Sequence, residues 1–452
     1  MKLFGTDGIR GDSCGFPFDD RSLFVIGKSV AETLGRKKSI LIIRDTRESG
    51  KRIQKALAKG IVSAGADIVF GGVMPTPAAS FLLSGGEYCA AIVISASHNP
   101  YRDNGIKIFD SKGLKLTDKA EAGIEKKINK YFSGGFSEVK IRIDKKEQKS
   151  LLKNYEKFLA DSFGPGTLKG KTIVIDCANG AAGTSASEVL KKLGARLIVL
   201  NDKPDGRNIN KNCGALHPEK AAKTVKKRKA FCGFCFDGDG DRLICIDENG
   251  AVRDGDFFLG SMAKYLKSKK KLKNNVLVTT VMANIGLVKA MEKAGVKVIT
   301  AKVGDRYVLE EMKRCKASLG GEQSGHFIFR DFLSTGDGLL SAVRLLAALN
   351  EKNETMSSMF SGIGKFPQVL VNKAVKNKIP LENLPETSSM VKFYEDKLGD
   401  EGRIVVRYSG TENLLRVMVE GKRAGEIKKM AKNIISCADK EISGKNNDQT
   451  RR

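Results

Sequence analysis

The chain has 452 residues, and 79 Lys and Arg against 52 Asp and Glu give it a net charge of +27. That length exceeds one ordinary domain and allows a large core. The excess charge permits a polyanion partner. However, there is no Trp, the basic clusters are short (Lys226-Lys-Arg-Lys229, Lys267-Ser-Lys-Lys-Lys271), and no aromatic residues interleave with them. A solvated basic surface is therefore preferred to a nucleic-acid site.

Nine cysteines are an odd number, and most lie in apolar runs (Cys89, Cys177, Cys245), as buried thiols do. Cys232-Gly-Phe-Cys235 lacks the second pair that a zinc site would need, so it reads as packing. No signal peptide or membrane-length apolar run is present, and the expectation is a cytoplasmic protein with no membrane partner.

In chain order, Gly5-Thr-Asp-Gly8 is a turn cluster followed by Arg10, a cation that could approach a phosphate or pair with a carboxylate. Apolar runs then alternate with helical stretches. A strand is predicted at Ile40–Ile43, a helix around Arg52–Ala64, a strand at Ile68–Phe70, a helix near Ala78–Leu83 and a strand at Ala90–Ile94. This alternation implies a mainly parallel sheet covered by helices.

The last of these strands ends in Ser95-Ala-Ser-His-Asn-Pro100, with turn signals at Asn99-Pro100 and Asn104-Gly105. Ser97 beside His98, with Lys107 a few residues on, suits a hydroxyl activated to carry a phosphoryl group. The same residues also fit a polar strand-to-loop corner that caps its own backbone.

The pattern recurs at Lys171–Asp176 and at Asn275–Thr279, each running into a polar turn as Ser39–Asp45 does. Between them Phe236-Asp-Gly-Asp-Gly-Asp-Arg242 sets Asp237, Asp239 and Asp241 at alternate positions, with glycines that let the carboxylates converge. Such an oxygen-only set would repel itself without a cation and suits Mg²⁺. An acidic turn is the plain alternative; a calcium loop fits poorly, because the later ligands and distal Glu of an EF-hand are missing. Asn208–Gly214 and His217-Pro218 form a polar loop to which no chemistry is assigned.

Further on, Glu322, Ser324 and His326 alternate in a glycine-flanked segment that reads as extended, so all three could face a sugar. A solvent-facing edge strand is the alternative. Thr335-Gly-Asp-Gly338 reads as a helix cap. Beyond Gly362-Ile-Gly-Lys-Phe-Pro367 the rhythm changes, and Arg407-Tyr-Ser-Gly-Thr-Glu412 links the β-runs Ile404–Val406 and Leu415–Val419. Backbone N–H groups around Gly410, the Ser409 and Thr411 hydroxyls, and the cations Arg407 and Arg416 could enclose a phosphate. A plain hairpin turn is equally compatible with this stretch.

Five motifs in a fixed order carry a resemblance: Phe4–Gly11, the Ser97 stretch, the Asp237 loop, Gly321–His326 and Arg407–Glu412. Across nearly its whole length the chain resembles the phosphoglucosamine mutases of the α-D-phosphohexomutase superfamily. The resemblance implies three topologically similar α/β domains with mixed, mainly parallel sheets and a smaller C-terminal α+β domain around a central cleft. The expected divisions are 1–150, 151–253, 254–366 and 367–443, with a disordered tail at 444–452. It further implies phosphoserine at Ser97, Mg²⁺ held by Ser97 and the three Asp, and charging of Ser97 by a sugar 1,6-bisphosphate or another phosphodonor. Arg10, Glu322, Ser324, His326 and the Arg407–Arg416 loop would bind the phosphosugar, with His326 near the reacting oxygen or phosphate. His98 and Lys107 would handle protons or charge, and Arg242 would neutralise the transferring phosphoryl. Glucosamine 6-phosphate and a homodimer complete the expectation, and a phosphoglucomutase or phosphomannomutase is the alternative within the same chemistry. Tyr408 and Asn413 stand where relatives often have proline.

Overall fold

The computed structural model describes residues 2–5, 7–35, 38–132, 145–409 and 413–449. The chain forms two compact units, one of Met1–Thr280 with Val296–Ser361 and one of Val281–Gly295 with Gly362–Arg452.

In the larger unit the apolar runs become strands buried on both faces: Ile40–Ile43 and Ala90–Ile94 have no exposed surface at all. That is why they read as continuous apolar runs rather than alternating ones. The first sheet contains β1 (Ile9–Asp12), β2 (Ser39–Arg44), β3 (Ile68–Val73), β4 (Tyr88–Ile94) and β5 (Asp103–Asp110), in the order β1-β5-β4-β2-β3. Strands β3, β2 and β4 are parallel, whereas β5 runs antiparallel to both β4 and β1. Helices Asp20–Leu34 and Gly50–Ser63 share a core with Ile40, Ile42, Ile92 and Ile94. The first helix starts where the Asp19 carboxylate accepts the Ser22 N–H at 2.9 Å.

The second sheet repeats the scheme with β6 (Thr172–Asp176), β7 (Arg196–Leu200), β8 (Cys232–Phe236), β9 (Leu243–Ile246) and β10 (Val252–Arg253), ordered β10-β9-β8-β6-β7. The third has β11 (Val276–Thr280), β12 (Lys297–Ala301), β13 (Leu319–Gly321) and β14 (Phe327–Phe329), ordered β12-β11-β13-β14. In all three a parallel strand hands over to an antiparallel neighbour: β4 to β5, β8 to β9 and β13 to β14. The connections at those three handovers are the Ser97 loop, the Asp237 loop and the Glu322 loop. A repeat that is weak in sequence is thus plain in topology. Cys177, Cys232, Cys235 and Cys245 are buried free thiols, and burial pushes the Cys235 thiol up.

The smaller unit is α+β. Its antiparallel sheet, ordered β15-β17-β16, contains β15 (Gln368–Ala374), β16 (Gly402–Tyr408) and β17 (Leu414–Gly421). Helices Pro385–Leu398 and Ala424–Gln449 close its core around Val417, Val419, Met430 and Ile434. Helix therefore covers most of the segment expected as a disordered tail; 450–452 lie outside the described residues.

Helix Ile285–Lys293, which connects β11 to β12 in the third α/β region, groups with this unit by its contacts. The fully buried Glu420 of β17 explains this. It accepts the Ile285 N–H at 3.1 Å and the Arg403 Nε–H at 2.7 Å, and Asn284 Nδ2 donates to it at 3.2 Å. A buried carboxylate without those donors would be strongly unfavourable.

Candidate active site

Ser97 is 1% exposed and sits just past the end of β4. Its backbone is left-handed, with φ +54°, a conformation that costs a residue with a Cβ roughly 1–2 kcal/mol. That turn directs Oγ to Asp237, whose Oδ2 accepts its proton at 2.5 Å. The Asp237 loop can approach so closely because residue 238 is glycine: a Cβ there would lie 2.6 Å from the Ser97 carbonyl oxygen. His98 Nδ1 is 3.4 Å from Ser97 Oγ, and burial together with Arg242 and Arg10 pushes the imidazole down to about 4. His98 is thus neutral at pH 7.

Asp237, Asp239 and Asp241 are all buried, and each offers an oxygen within 4.8 Å of the others. Lys107, also buried, donates to Asp239 Oδ2 at 2.9 Å and Asp241 Oδ2 at 3.2 Å, and lies 3.3 Å from Asp7 Oδ2. Burial alone would lower the pKa of Lys107, but the three carboxylates outweigh it and raise it well above the ordinary value. Lys107 is therefore a fixed cation. For Asp237, burial and the neighbouring Asp241 and Asp239 carboxylates raise the pKa well above the usual range. Asp241 goes the other way: burial opposes ionisation, but Lys107, His326 and Arg242 hold it well below that range.

Arg10 pairs with Asp7 and reaches the Ala96 carbonyl at 3.3 Å, so its carboxylate alternative is realised. The Arg242 backbone N–H donates to Asp237 Oδ1 at 3.1 Å, while its buried Nε makes no hydrogen bond among the described residues and lies 4.0 Å from Asp241 Oδ1.

Glu322–His326 departs from the extended reading. It is the tight turn between β13 and β14, closed by Glu322 N–H to His326 O at 2.9 Å and Gly325 N–H to Glu322 O at 3.0 Å. Three side chains in a turn do not share the single face that a strand would give them. Glu322 Oε1 accepts the Gly304 N–H at 3.0 Å, and Ser324 Oγ lies 3.4 Å from Glu322 Oε2. His326 is buried behind Asp241, with Nδ1 3.8 Å from Asp241 Oδ2 and Nε2 accepting the Gly336 N–H at 3.1 Å. A Cβ on Gly336 would come within 2.2 Å of that nitrogen. Burial lowers the His326 pKa, yet Asp241 and Asp305 outweigh it and the net direction is upward. Nε2 thus accepts from the Gly336 N–H while Nδ1 faces Asp241.

In the smaller unit Arg407 and Arg416 stand directly opposite across β16 and β17. Like charges in that register repel. Ser409 is buried just past β16, its N–H bonded to Leu414 O at 2.8 Å and its carbonyl accepting from Lys378 Nζ at 2.8 Å. Gly410 and Thr411 lie outside the described residues.

Comparison with known proteins decides the family. Four models of the phosphoglucomutase/phosphomannomutase family match in order: α/β/α domain I at residues 1–134, domain II at 153–250, domain III at 254–366 and the C-terminal domain at 370–436. The phosphoglucosamine mutase of Myxococcus xanthus is 43% identical over 451 residues, covering 98% of each chain. That of Clostridium botulinum strain Eklund 17B is 45% identical over 437 residues, covering 95% of this chain and 97% of its own. The chain belongs to the phosphoglucosamine mutase family.

As a phosphoglucosamine mutase family member, it shares its fold with a phosphoglucomutase/phosphomannomutase family protein from Burkholderia thailandensis (TM-score 0.81, 24% identity, 97% of each chain). It also shares it with Aspergillus fumigatus N-acetylphosphoglucosamine mutase, solved with GlcNAc-6P and magnesium (TM-score 0.70, 16% identity, 98% of this chain and 96% of that one). No helix among the described residues is long and apolar enough to cross a membrane.

Several residues of the mutase site escaped the sequence reading. Asp7 joins Arg10, Lys107 and Lys115; Asp305 joins Lys115 and lies 3.5 Å from His326 Nε2. Thr76 holds Asp239 through both its hydroxyl and its N–H, and Asn210, in the loop assigned no chemistry, donates to the Ser97 carbonyl at 2.9 Å. Asp7 adjoins Arg10 within a motif already singled out, so it could have been found; the others carry no local signature. The site also fits a divalent cation. Asp239 Oδ1 and Asp241 Oδ1 are buried with no hydrogen-bond partner among the described residues, and the donors are hard oxygens of the kind Mg²⁺ takes.

Proposed function

We propose that this phosphoglucosamine mutase interconverts glucosamine 6-phosphate and glucosamine 1-phosphate by way of phosphoserine at Ser97. The observation that carries the reading is the buried Ser97 Oγ aimed at Asp237 Oδ2, 2.5 Å away, at the handover from β4 to β5. Asp237, Asp239, Asp241 and an oxygen of phospho-Ser97 would hold Mg²⁺, which when bound neutralises charge on the phosphoryl oxygens.

In the forward transfer the bond between phosphorus and Ser97 Oγ breaks, and one forms to the free sugar hydroxyl. The hydroxyl proton passes to a neutral acceptor, and one proton returns to the departing Ser97 Oγ, which is left as the hydroxyl. His98 qualifies and Lys107, held as a cation, does not. Lys107 and Arg242 instead oppose the charge that spreads over the phosphoryl oxygens. Arg407, Ser409, Gly410, Thr411 and Arg416 would hold the phosphate that is not reacting. Arg10, Glu322 and Ser324 would contact the sugar; His326, with Asp241 and Gly336 at its nitrogens, is read as supporting Asp241. The sugar 1,6-bisphosphate so formed turns over and returns its original phosphoryl to Ser97. An outside phosphodonor supplies the first charge, and the product would feed cell-wall precursor synthesis.

Intact-protein mass spectrometry tests the core of this reading. A phosphorylated fraction should map to Ser97 and be discharged by glucosamine 6-phosphate. Label at another residue, or turnover of glucose or mannose phosphates in preference to the amino sugar, would overturn the route or the substrate respectively. The proposed homodimer is checked by light scattering, where a monomeric mass would refute it.

A further inference from the structure

Arg47 is buried to 1% exposure between the strand β2 and the helix Gly50–Ser63. A guanidinium has five N–H donors, and each of the five here has an acceptor. Nε donates to Asp45 Oδ2 at 2.8 Å. One terminal nitrogen serves the Pro100 carbonyl and, at 3.0 Å, that of Asp103. The other serves the carbonyls of Ser97 at 3.0 Å and Asn99 at 2.8 Å. No donor is left over for a phosphate.

The same network reaches the other side of Ser97. Asp45 Oδ2 accepts the Ser95 hydroxyl at 2.6 Å, and Ser95 Oγ accepts the Ser97 N–H at 2.9 Å. Asn210, from the second sheet's part of the chain, doubles the hold by donating to the carbonyls of Ser97 at 2.9 Å and Asn99 at 3.1 Å. Both peptide groups flanking the left-handed Ser97 are therefore fixed by side chains, with Arg47 linked to each.

We infer that Arg47, assisted by Asn210, is a positioning residue for phosphoryl transfer, holding Ser97 in its left-handed backbone so that Oγ faces the three Asp side chains. This rests on the reading of Ser97 as the phosphoryl carrier. Without the hold, Ser97 relaxes toward the right-handed region that L-residues prefer. The hydroxyl then swings away from Asp237, while the sugar-contacting residues and the three Asp side chains stay where they are. Energetic and kinetic effects therefore separate: the rate of transfer falls, and the affinity for substrate does not.

The test compares phosphorylated wild type with Arg47→Lys, which keeps the charge but cannot span four carbonyls, and with Asn210→Ala, which removes only the second hold. Single-turnover transfer from Ser97 to glucosamine 6-phosphate should slow about tenfold in Asn210→Ala and about a hundredfold in Arg47→Lys. KM should stay within about twofold of wild type. If Arg47→Lys does not fold, Asn210→Ala decides alone. Wild-type transfer rates in a folded variant, or a loss that falls on KM, would overturn the assignment. A wild-type enzyme with no phosphoryl label on Ser97 would remove the underlying reading itself, a result distinct from either.

Discussion

The loops at Ser97 and Ser409 each follow a strand, and each is assigned to a phosphate, yet they are built in opposite ways. Around Ser97 the polar groups are buried and most are matched within the protein, with Asp239 Oδ1 and Asp241 Oδ1 among the exceptions. Lys107 lies among Asp7, Asp239 and Asp241, and Arg47 serves five acceptors. Around Ser409 the cations Arg407 and Arg416 stand opposite each other across β16 and β17 and are only half-buried. A group that must both give and receive a phosphoryl has to be fixed before the ligand arrives. A loop that only holds a phosphate can keep its cations nearer the solvent from which the ligand comes. Changes in the first region should therefore act on rate, and changes in the second on affinity.

The sharpest way to break this contrast is Ser97→Ala. It should abolish the phosphoenzyme and lower mutase activity by at least about a thousandfold, as loss of a covalent carrier does, while circular dichroism stays native. A fully active variant, or one labelled at Ser95, would end the assignment. Next comes Asp239→Asn, which removes charge from the triad and from Lys107 together. Transfer should slow on the order of a hundredfold, and the Mg²⁺ requirement should shift to higher concentration; unchanged activity in chelator would remove the metal from the site. In the smaller unit, Arg407→Gln should raise KM tenfold to a hundredfold, from the roughly 1.5–3 kcal/mol of a charge-assisted hydrogen bond. Its kcat should stay close to wild type. A loss confined to kcat would erase the distinction between the two regions.

The fold was legible where burial was complete. Runs such as Ile40–Ile43 and Ala90–Ile94 are apolar because both faces are covered, and their ends fell within a few residues of the observed strands. The convergence of Ser97 with the three Asp was an expectation of the family resemblance, and the structure accounts for it: both stretches end strands of one repeated topology. What was missed depends on long-range pairing. Nothing local distinguishes Arg47, Lys115 or Asp305 from surface charges, and Asn210 looks like any loop asparagine. Alternation at Glu322, Ser324 and His326 suggested a strand; Gly321 and Gly325, which flank Glu322–Ser324, allow a hairpin turn instead.

The smallest expected effect tests the price of burial in the first region. Asp337 has no exposed surface; its carboxylate caps helix Gly338–Lys352 through Leu340 N–H at 2.9 Å and accepts the Tyr155 hydroxyl at 2.8 Å. The adjoining Gly338 N–H donates to Gly240 O at 3.0 Å, which joins this cap to the Asp237 loop. Burial pushes the Asp337 pKa from 3.8 up to about 6, against the opposing hydrogen bonds from Leu340 and Tyr155. Because the folded value is the higher one, the native state holds the proton more tightly than the unfolded chain. Its contribution is thus complete below about pH 4 and lost as pH rises to about 6. Asp337→Asn keeps a capping oxygen and does not titrate. Relative to wild type, this variant should gain on the order of 2–3 kcal/mol between pH 4 and pH 6.5, measured by urea unfolding across that range, and the gain should level off above it. A stability difference that does not change with pH would mean that Asp337 ionises freely, and that burial in the larger unit imposes no such cost at its cap.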